Sequence, residues 1–498
     1  LRKIRIILAA VFFTGITLLF LDFTGTLHTW LGWMAKIQFL PAALALNFGV
    51  IAALIIMTLL FGRVYCSVIC PLGVMQDIIS WIHGKTKKKN RFRFSYSPAR
   101  NILRYGFLVL FIAGLLLGAH SIAILIAPYS AYGRIAANLF APIYQWANNL
   151  FAWMAERADS YAFYSTEVWL KSLPTFIIAA VTFVIIFILA WRNGRTWCNT
   201  ICPVGTVLGF LSRFSFFAPA IDTDKCRNCG MCGKQCKSAC INMKEHEIDL
   251  SRCVACMDCL DACKDGAIHY VRRKSSGKAG MAETKNDTPD KSRRAFIASS
   301  AIAMTAAAGA KAQIKGDGGL APVSRSLKPE RNTPVVPAGS ESLKNFTDHC
   351  TACQLCVSAC PNQVLRPSTS LDTLMMPEMG FERGYCCPEC TLCSQVCPAG
   401  AIRPVNRVEK SSIQIGIAVI NLDNCIVNTD GVHCGNCSKH CPANAIRMVR
   451  KEPDSDNWLR IPTVNENRCI GCGACENVCP ARPLAAIHIE GFETHKLK

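Results

Sequence analysis

Residues 226–263 read CRNCGMCGKQCKSACINMKEHEIDLSRCVACMDCLDAC. Cys226, Cys229, Cys232 and Cys236 stand at C-x2-C-x2-C-x3-C spacing, and Cys253, Cys256, Cys259 and Cys263 repeat it. This spacing holds a compact pair of 4Fe-4S clusters. Three thiolates on one tight loop grip three irons of a cubane but cannot also reach the fourth, so the last cysteine of the partner motif supplies that ligand. The spacing therefore groups Cys226, Cys229 and Cys232 with Cys263, and Cys253, Cys256 and Cys259 with Cys236. Zinc would use two separated cysteine pairs around a tetrahedral ion, not a duplicated quartet. Lys237 and Lys264 stand where a proline usually follows the fourth cysteine. They bring positive charge to the clusters or serve a docking surface, and the residues alone leave both readings open.

Four further quartets follow: Cys350, Cys353, Cys356 and Cys360; Cys387, Cys390, Cys393 and Cys397; Cys425, Cys434, Cys437 and Cys441; and Cys469, Cys472, Cys475 and Cys479. All four end in Cys-Pro, and CPAGAI (397–402) matches CPANAI (441–446), so duplicated units are expected. In the third quartet an inserted loop, Ile426–His433, must return to the same iron. The six quartets use 24 of the 30 cysteines, two Cys-x3-Cys-Pro pairs use four more, and Cys240 and Cys386 complete the count. Cys386 reads as a bystander, because Cys387 gives the regular spacing. Secreted disulfide scaffolds are short and lack such quartets, so that class is excluded.

The chain has 498 residues, 51% of them hydrophobic, and a mean hydropathy of +0.25, which suits three or four domains of which one is membrane-embedded. Apolar stretches at about 4–21, 40–61, 102–127 and 174–191 predict four spans of ~20 residues. Arg2, Lys3 and Arg5 place the N-terminus inside, and the run Lys85, Lys87, Lys88, Lys89, Arg91 and Arg93 falls in a loop on the same side. That placement accounts for the net charge of +20, so nucleic acid is not expected as a partner. The aromatic-rich segment 128–173 would lie outside and reads as an interfacial belt in preference to a docking surface. Residues 274–292 and 313–343 read as linkers. Between them, Arg293-Arg294-Ala295-Phe296-Ile297 and an Ala-rich run predict a twin-arginine export signal or anchor at 291–312.

Gly62-Arg63-Val64-Tyr65-Cys66-Ser67-Val68-Ile69-Cys70-Pro71-Leu72-Gly73 aligns without gaps to Gly194-Arg195-Thr196-Trp197-Cys198-Asn199-Thr200-Ile201-Cys202-Pro203-Val204-Gly205. Cysteines at i and i+4 share a helix face. Cys66, Cys70, Cys198 and Cys202 therefore form a further metal or iron–sulfur site, or else tight packing at helix ends. Asp22, His28 and His120 are ionisable groups near helix ends and are candidates to accept protons from a quinol. The expected organisation is a four-helix membrane domain (1–215), a two-cluster cytoplasmic module (216–273), linkers and signal (274–343) and a four-cluster periplasmic module (344–498). The fold class is an α-helical membrane domain with two α+β modules.

Positions 1–270, with these spans, motifs and clusters, resemble the NapH-type membrane ferredoxins of periplasmic nitrate-reductase systems, and the related NosR- and MauN-like proteins. Positions 291–498 resemble the NapG/MauM-type periplasmic ferredoxins, so the chain resembles a fusion of the two. The resemblance implies a quinol dehydrogenase of the bacterial inner membrane. It would oxidise menaquinol from the quinone pool and pass electrons through six 4Fe-4S clusters to a periplasmic reductase or cytochrome, with a cytoplasmic redox partner for the first module. The alternative is an electron relay, or an assembly factor for a periplasmic redox enzyme. The resemblance also implies nested cluster pairing in the second module: Cys479 with Cys350, Cys353 and Cys356; Cys360 with Cys469, Cys472 and Cys475; Cys441 with Cys387, Cys390 and Cys393; and Cys397 with Cys425, Cys434 and Cys437. The strand-like runs Ser411–Ile420 and Ala485–Ile489 are compatible with that scheme.

Overall fold

The computed structural model describes residues 1–22, 25–86, 94–160, 163–273, 326–451 and 459–498. The expected signal at 291–312, with Arg293 and Arg294, lies outside them, as do most of the basic run after Lys85 and linker residues 274–325. The helical domain is built on α1 (Arg2–Leu21), α2 (Phe48–Phe61), α3 (Pro71–Thr86), α4 (Asn101–Leu116), α5 (Pro128–Ile135), α6 (Leu173–Asn193) and α7 (Pro203–Ser212). Helices α1 and α6 have 20 and 21 residues, about 30 Å at ~1.5 Å per residue. Among the described residues these two are long and apolar enough to cross a membrane.

The expected spans at 40–61 and 102–127 are each interrupted. Leu46 adopts a left-handed φ of 51°, and the Asn47 side chain then accepts a hydrogen bond from Val50 N at 3.2 Å. That cap starts α2 afresh, with 14 residues. Helix α4 stops just before Gly118, which has a φ of 76°, and the chain resumes as the short helix His120–Ile126. An apolar run does not register a cap or a left-handed glycine, so the expectation of four full-length spans gives way to two, with shorter apolar helices beside them.

The two aligned motifs fold alike. Helices α2 and α6 end at Gly62 and Gly194, each with a φ of 70°. One helical turn follows (Val64–Val68 and Thr196–Thr200), and then α3 or α7, each opening on a proline. Proline suits that position because its missing N–H would have had no partner. Helix α3 packs along α1 and α6 and also touches α5.

In the first module β1 (Phe217–Ile221) and β2 (Ile268–Arg272) pair antiparallel, Phe217 opposite Arg272 and Ile221 opposite Ile268. This closes the two cysteine motifs on each other. The second module holds β3 (Ile413–Ile420), β4 (Ile446–Arg450), β5 (Arg460–Val464) and β6 (Ile487–Leu497), with β3 paired to β6 and β4 to β5.

The modules dock on opposite ends of the helical domain. At one end Phe216 N donates to Leu59 O (2.7 Å), Arg195 N donates to Lys237 O (2.9 Å), Tyr270 OH donates to Phe61 O (2.7 Å), and Arg2 pairs with Asp258 (2.8 Å). Lys237 bridges Asp258 (2.8 Å) and Asp77 (3.6 Å), so it is a docking residue. At the other end the segment 128–173 forms the floor under the second module, which corrects its reading as a mere belt. Tyr129 and Tyr132 are buried, and Asn138 Nδ2 donates to Gln354 Oε1 (2.8 Å). The Trp169 ring carries the guanidinium groups of Arg366 and Arg383, 4.8 and 4.3 Å from its centroid. Lys171 Nζ donates to Val357 O (3.1 Å); burial pulls its pKa down to about 8, against the pull of the Cys360 and Cys356 thiols. A Cβ at Gly133 would stand 2.3 Å from Cys353 O. Gly133→Val is therefore expected to unseat the second module at a cost of roughly 1–3 kcal/mol. Hydrogen exchange should show lost protection across 350–360 with the β1–β2 pair unchanged.

Candidate metal centres

Cysteine-lined cavities lie in both modules among the described residues. Cys253, Cys256 and Cys259 share one with Cys236, the grouping that the spacing requires. Cys240 lines the same cavity, its sulfur 3.5 Å from that of Cys236. Cys232 and Cys263 belong to the core of that module, while Cys226 is half-buried and Cys229 exposed.

The second module overturns the nested scheme. Cys350, Cys353 and Cys356 share a cavity with Cys397, and Cys387, Cys390 and Cys393 share one with Cys360. Cys425, Cys434 and Cys437 meet Cys479, and Cys469, Cys472 and Cys475 meet Cys441. The pairing is sequential, and the strands explain it. Strand β3 leads into the Cys425 motif and β6 leaves the Cys479 motif, so their pairing closes these two motifs together, as β1 and β2 do in the first module. The turn Leu355–Ala359 likewise packs on Leu392–Val396. The inserted loop opens with a helical turn, Ile426–Thr429, and brings Cys434 back to the cavity of Cys425. Cys386 also lines the cavity of Cys387, beside the four cysteines grouped there. Among the described residues no three His, Cys, Asp or Glu groups converge as ligands of a single ion. The thiols instead ring cavities, as the corners of a cubane require.

In the helical domain Cys66, Cys70, Cys198 and Cys202 are all buried, and two arginines tie their turns together. Arg195 Nη1 donates to Cys66 O (2.7 Å) and lies 3.8 Å from Cys198 Sγ. Arg63 Nη2 mirrors it, donating to Cys198 O (3.2 Å) and lying 3.8 Å from Cys66 Sγ. The final glycine of each motif makes room for this crossing. A Cβ at Gly73 would stand 2.3 Å from Cys66 O and 2.5 Å from Arg195 Nη1; at Gly205 the distances to Cys198 O and Arg63 Nη2 would be 2.2 and 2.9 Å. Gln76 Nε2 and Gly205 N donate to the sulfurs of Cys198 and Cys202, each at 3.3 Å.

The electrostatics break the twofold likeness. Asp77 holds Arg195 through two 2.8 Å bonds. Its counterpart in the second repeat is Gly209, where a Cβ would stand 1.9 Å from Arg104 Nη2. A second arginine thus occupies the place of a carboxylate. Arg63 donates to Asn199 Oδ1 (2.8 Å) and Ser251 O (3.1 Å), and Arg104 donates to Ser251 O (2.9 Å) and Oγ (3.2 Å). Arg63 and Arg104 are 0% and 2% exposed, and neither is ion-paired among the described residues. A buried charge is costly unless an opposite charge accompanies it. Four thiolates around an iron–sulfur core would carry a net negative charge, and the residues here fit such a group. The sequence quoted both arginines inside the repeat without revealing that role, and Arg104, Asp77 and Ser251 carried no motif signal at all.

Of the quinol candidates, Asp22 accepts from Gly25 N (3.0 Å) and Leu27 N (2.8 Å). Burial pulls the pKa of His28 down, with the Asp22 carboxylate opposing, so these two share one corner. His120 goes elsewhere, with Nε2 3.2 Å from Asp348 of the second module.

Residues 43–90 and 174–219, one repeat each, match a family described as 4Fe-4S binding domain. Residues 346–366 match another of that description, and 432–482 match a 4Fe-4S dicluster domain. The ferredoxin-type protein NapH of Haemophilus influenzae is 27% identical over 243 residues, 47% of this chain and 70% of that protein. The putative electron transport protein YccM of Escherichia coli is 25% identical over 228 residues, 45% of this chain and 55% of YccM. The pyruvate synthase subunit PorD of Methanothermobacter marburgensis is 43% identical over 58 residues, 12% of this chain and 70% of PorD. This chain thus spans little more than half the length of YccM. No solved structure matches it.

Two outcomes follow from the geometry. Gly73→Ala and Gly205→Ala should each lower thermal stability in detergent by roughly 1–3 kcal/mol through overpacking, whereas Gly106→Ala, with no atom within 4 Å of the added carbon, should not. Cys479→Ser should remove the cluster signal assigned to Cys425, Cys434 and Cys437, and spare the one assigned to Cys350, Cys353 and Cys356; electron paramagnetic resonance on this variant and the parent separates the two.

Proposed function

We propose, from its likeness to the NapH-type ferredoxin proteins and its 4Fe-4S binding domains, that this chain carries electrons across a bacterial inner membrane. Menaquinol, in this reading, gives up two electrons and two protons at the helical domain, and the electrons leave from the second module to a periplasmic reductase or cytochrome. Arg2 and Arg5 lie at the end that carries the first module, and the inside bias of such basic residues supports a cytoplasmic first module and a periplasmic second one.

The observation that carries the reading is the position of the Cys66, Cys70, Cys198 and Cys202 quartet between the two modules. On one side Arg63 and Arg104 bind Ser251, two residues before Cys253. On the other, Pro71 continues from Cys70 into α3, which touches α5, and α5 meets Cys353 at Gly133. Helices α3 and α5 thus link the quartet to the second module, which supports a relay that shortens the passage across a bilayer core of ~30 Å. A 4Fe-4S cluster, when bound, supplies a one-electron acceptor and donor at each cysteine quartet. Arg63 and Arg104 balance its charge within the helical domain, the crossed arginine bonds fix the spacing of its ligands, and the Asp22–His28 corner receives protons. The relay reading is favoured by the direct docking of both modules, which is what passage between two protein partners needs.

Seven quartets predict about 28 irons per chain, and Cys70→Ser with Cys202→Ser should lower this to about 24. The purified protein in lipid nanodiscs is then mixed with a menaquinol analogue and no partner. Bleaching of the cluster absorbance supports quinol oxidation by this chain. Bleaching by dithionite alone would leave the relay.

A further inference from the structure

The helix Arg407–Ser412 is capped by Asn406, whose side chain accepts from Glu409 N at 2.7 Å. It turns Val408 out to solvent (83% exposed) and Lys410 inward (8%). Three acceptors surround the Lys410 ammonium: Cys386 Sγ (3.2 Å), Cys387 O (2.7 Å) and Cys390 O. An ammonium has three N–H donors and no acceptor, so this cage fits the charged form. Among the described residues no carboxylate pairs with Lys410. Lys410 also lines the cavity of Cys360, Cys387, Cys390 and Cys393. Among the described residues, no charged side chain lines the cavities of Cys350, Cys425 and Cys469.

We propose that Lys410 sets the reduction potential of the Cys360, Cys387, Cys390 and Cys393 site, holding it as the highest in the second module. Reduction adds one negative charge to a cluster, and a fixed cation in a dry wall favours the more negative state. The lysine acts through the cluster and touches no substrate. The inference rests on the reading that this quartet holds a 4Fe-4S cluster, and the experiment keeps the two apart.

The full-length protein in detergent is titrated against a series of mediators while its electron paramagnetic resonance spectrum is recorded. Cys390→Ser identifies the component that belongs to this site. In Lys410→Met that component's reduced-to-oxidised ratio at fixed potential should fall at least tenfold, about 59 mV for a one-electron couple. Lys410→Arg, which keeps the charge, should stay near the parent value, and iron content should not change in either. If Lys410→Met loses the cluster, Lys410→Gln is titrated in its place and must show the same fall. Superimposable titrations with full iron content overturn the role of Lys410 and leave the cluster assignment standing. Full iron content in Cys390→Ser overturns the assignment itself, and the proposal with it.

Discussion

Arg63 and Arg195 each leave one cysteine turn and bond the carbonyl of the other. This crossing constrains the rest of the helical domain. It forces the two turns into contact, and contact requires glycine at 73 and 205, because any side chain there would displace a guanidinium. It also sets one guanidinium beside Cys66 Sγ and the other beside Cys198 Sγ. Burying two guanidinium groups is unfavourable in itself. Asp77 answers for one of them, and Gly209 gives the other no carboxylate but a second arginine. That imbalance of buried charge is what the proposed iron–sulfur site would answer.

The same residues attach the first module. Asp77 binds Arg195 and reaches Lys237 and Arg5. Lys237 and Arg2 meet on Asp258, beside Cys256 and Cys259, and Ser251 accepts from both Arg63 and Arg104. Exposed ion pairs contribute little, but these are mostly buried, and breaking one leaves its partner's charge stranded. Docking and site formation are therefore one event at that end. At the opposite end the attachment is of another kind: close approach at Gly133, stacking on Trp169, and single polar contacts from Asn138 and Lys171. His120 with Asp348 and Arg383 with Glu167 also meet there, each with an exposed carboxylate.

Much of this protein was legible in one dimension. Cluster chemistry depends on local loops, so the spacing of Cys253, Cys256 and Cys259 announces its own function, and the remote Cys236 follows because one loop cannot reach a fourth iron. The duplicated motif around Cys66 and Cys198 was equally plain, since its cysteines lie four residues apart in each copy. Hydropathy located the apolar segments but not their interruptions, because Asn47 and Gly118 act through backbone geometry that an average over a window erases.

Other properties belonged to the tertiary structure alone. Which quartets pair in the second module depends on whether β3 finds β6, a contact between residues some seventy positions apart, and spacing within a motif says nothing of that. Whether the Cys66 and Cys198 turns form a site depends on Arg104 and Ser251, which no motif links to them. Lys410 looks like any lysine on a polar helix until the fold turns it against Cys387 and Cys390. The sequence determined the ligands because coordination is a local, covalently spaced requirement. Only the fold decided their partners and the charges around them, because electrostatic neighbours in a dry interior are set by distance in space and not along the chain.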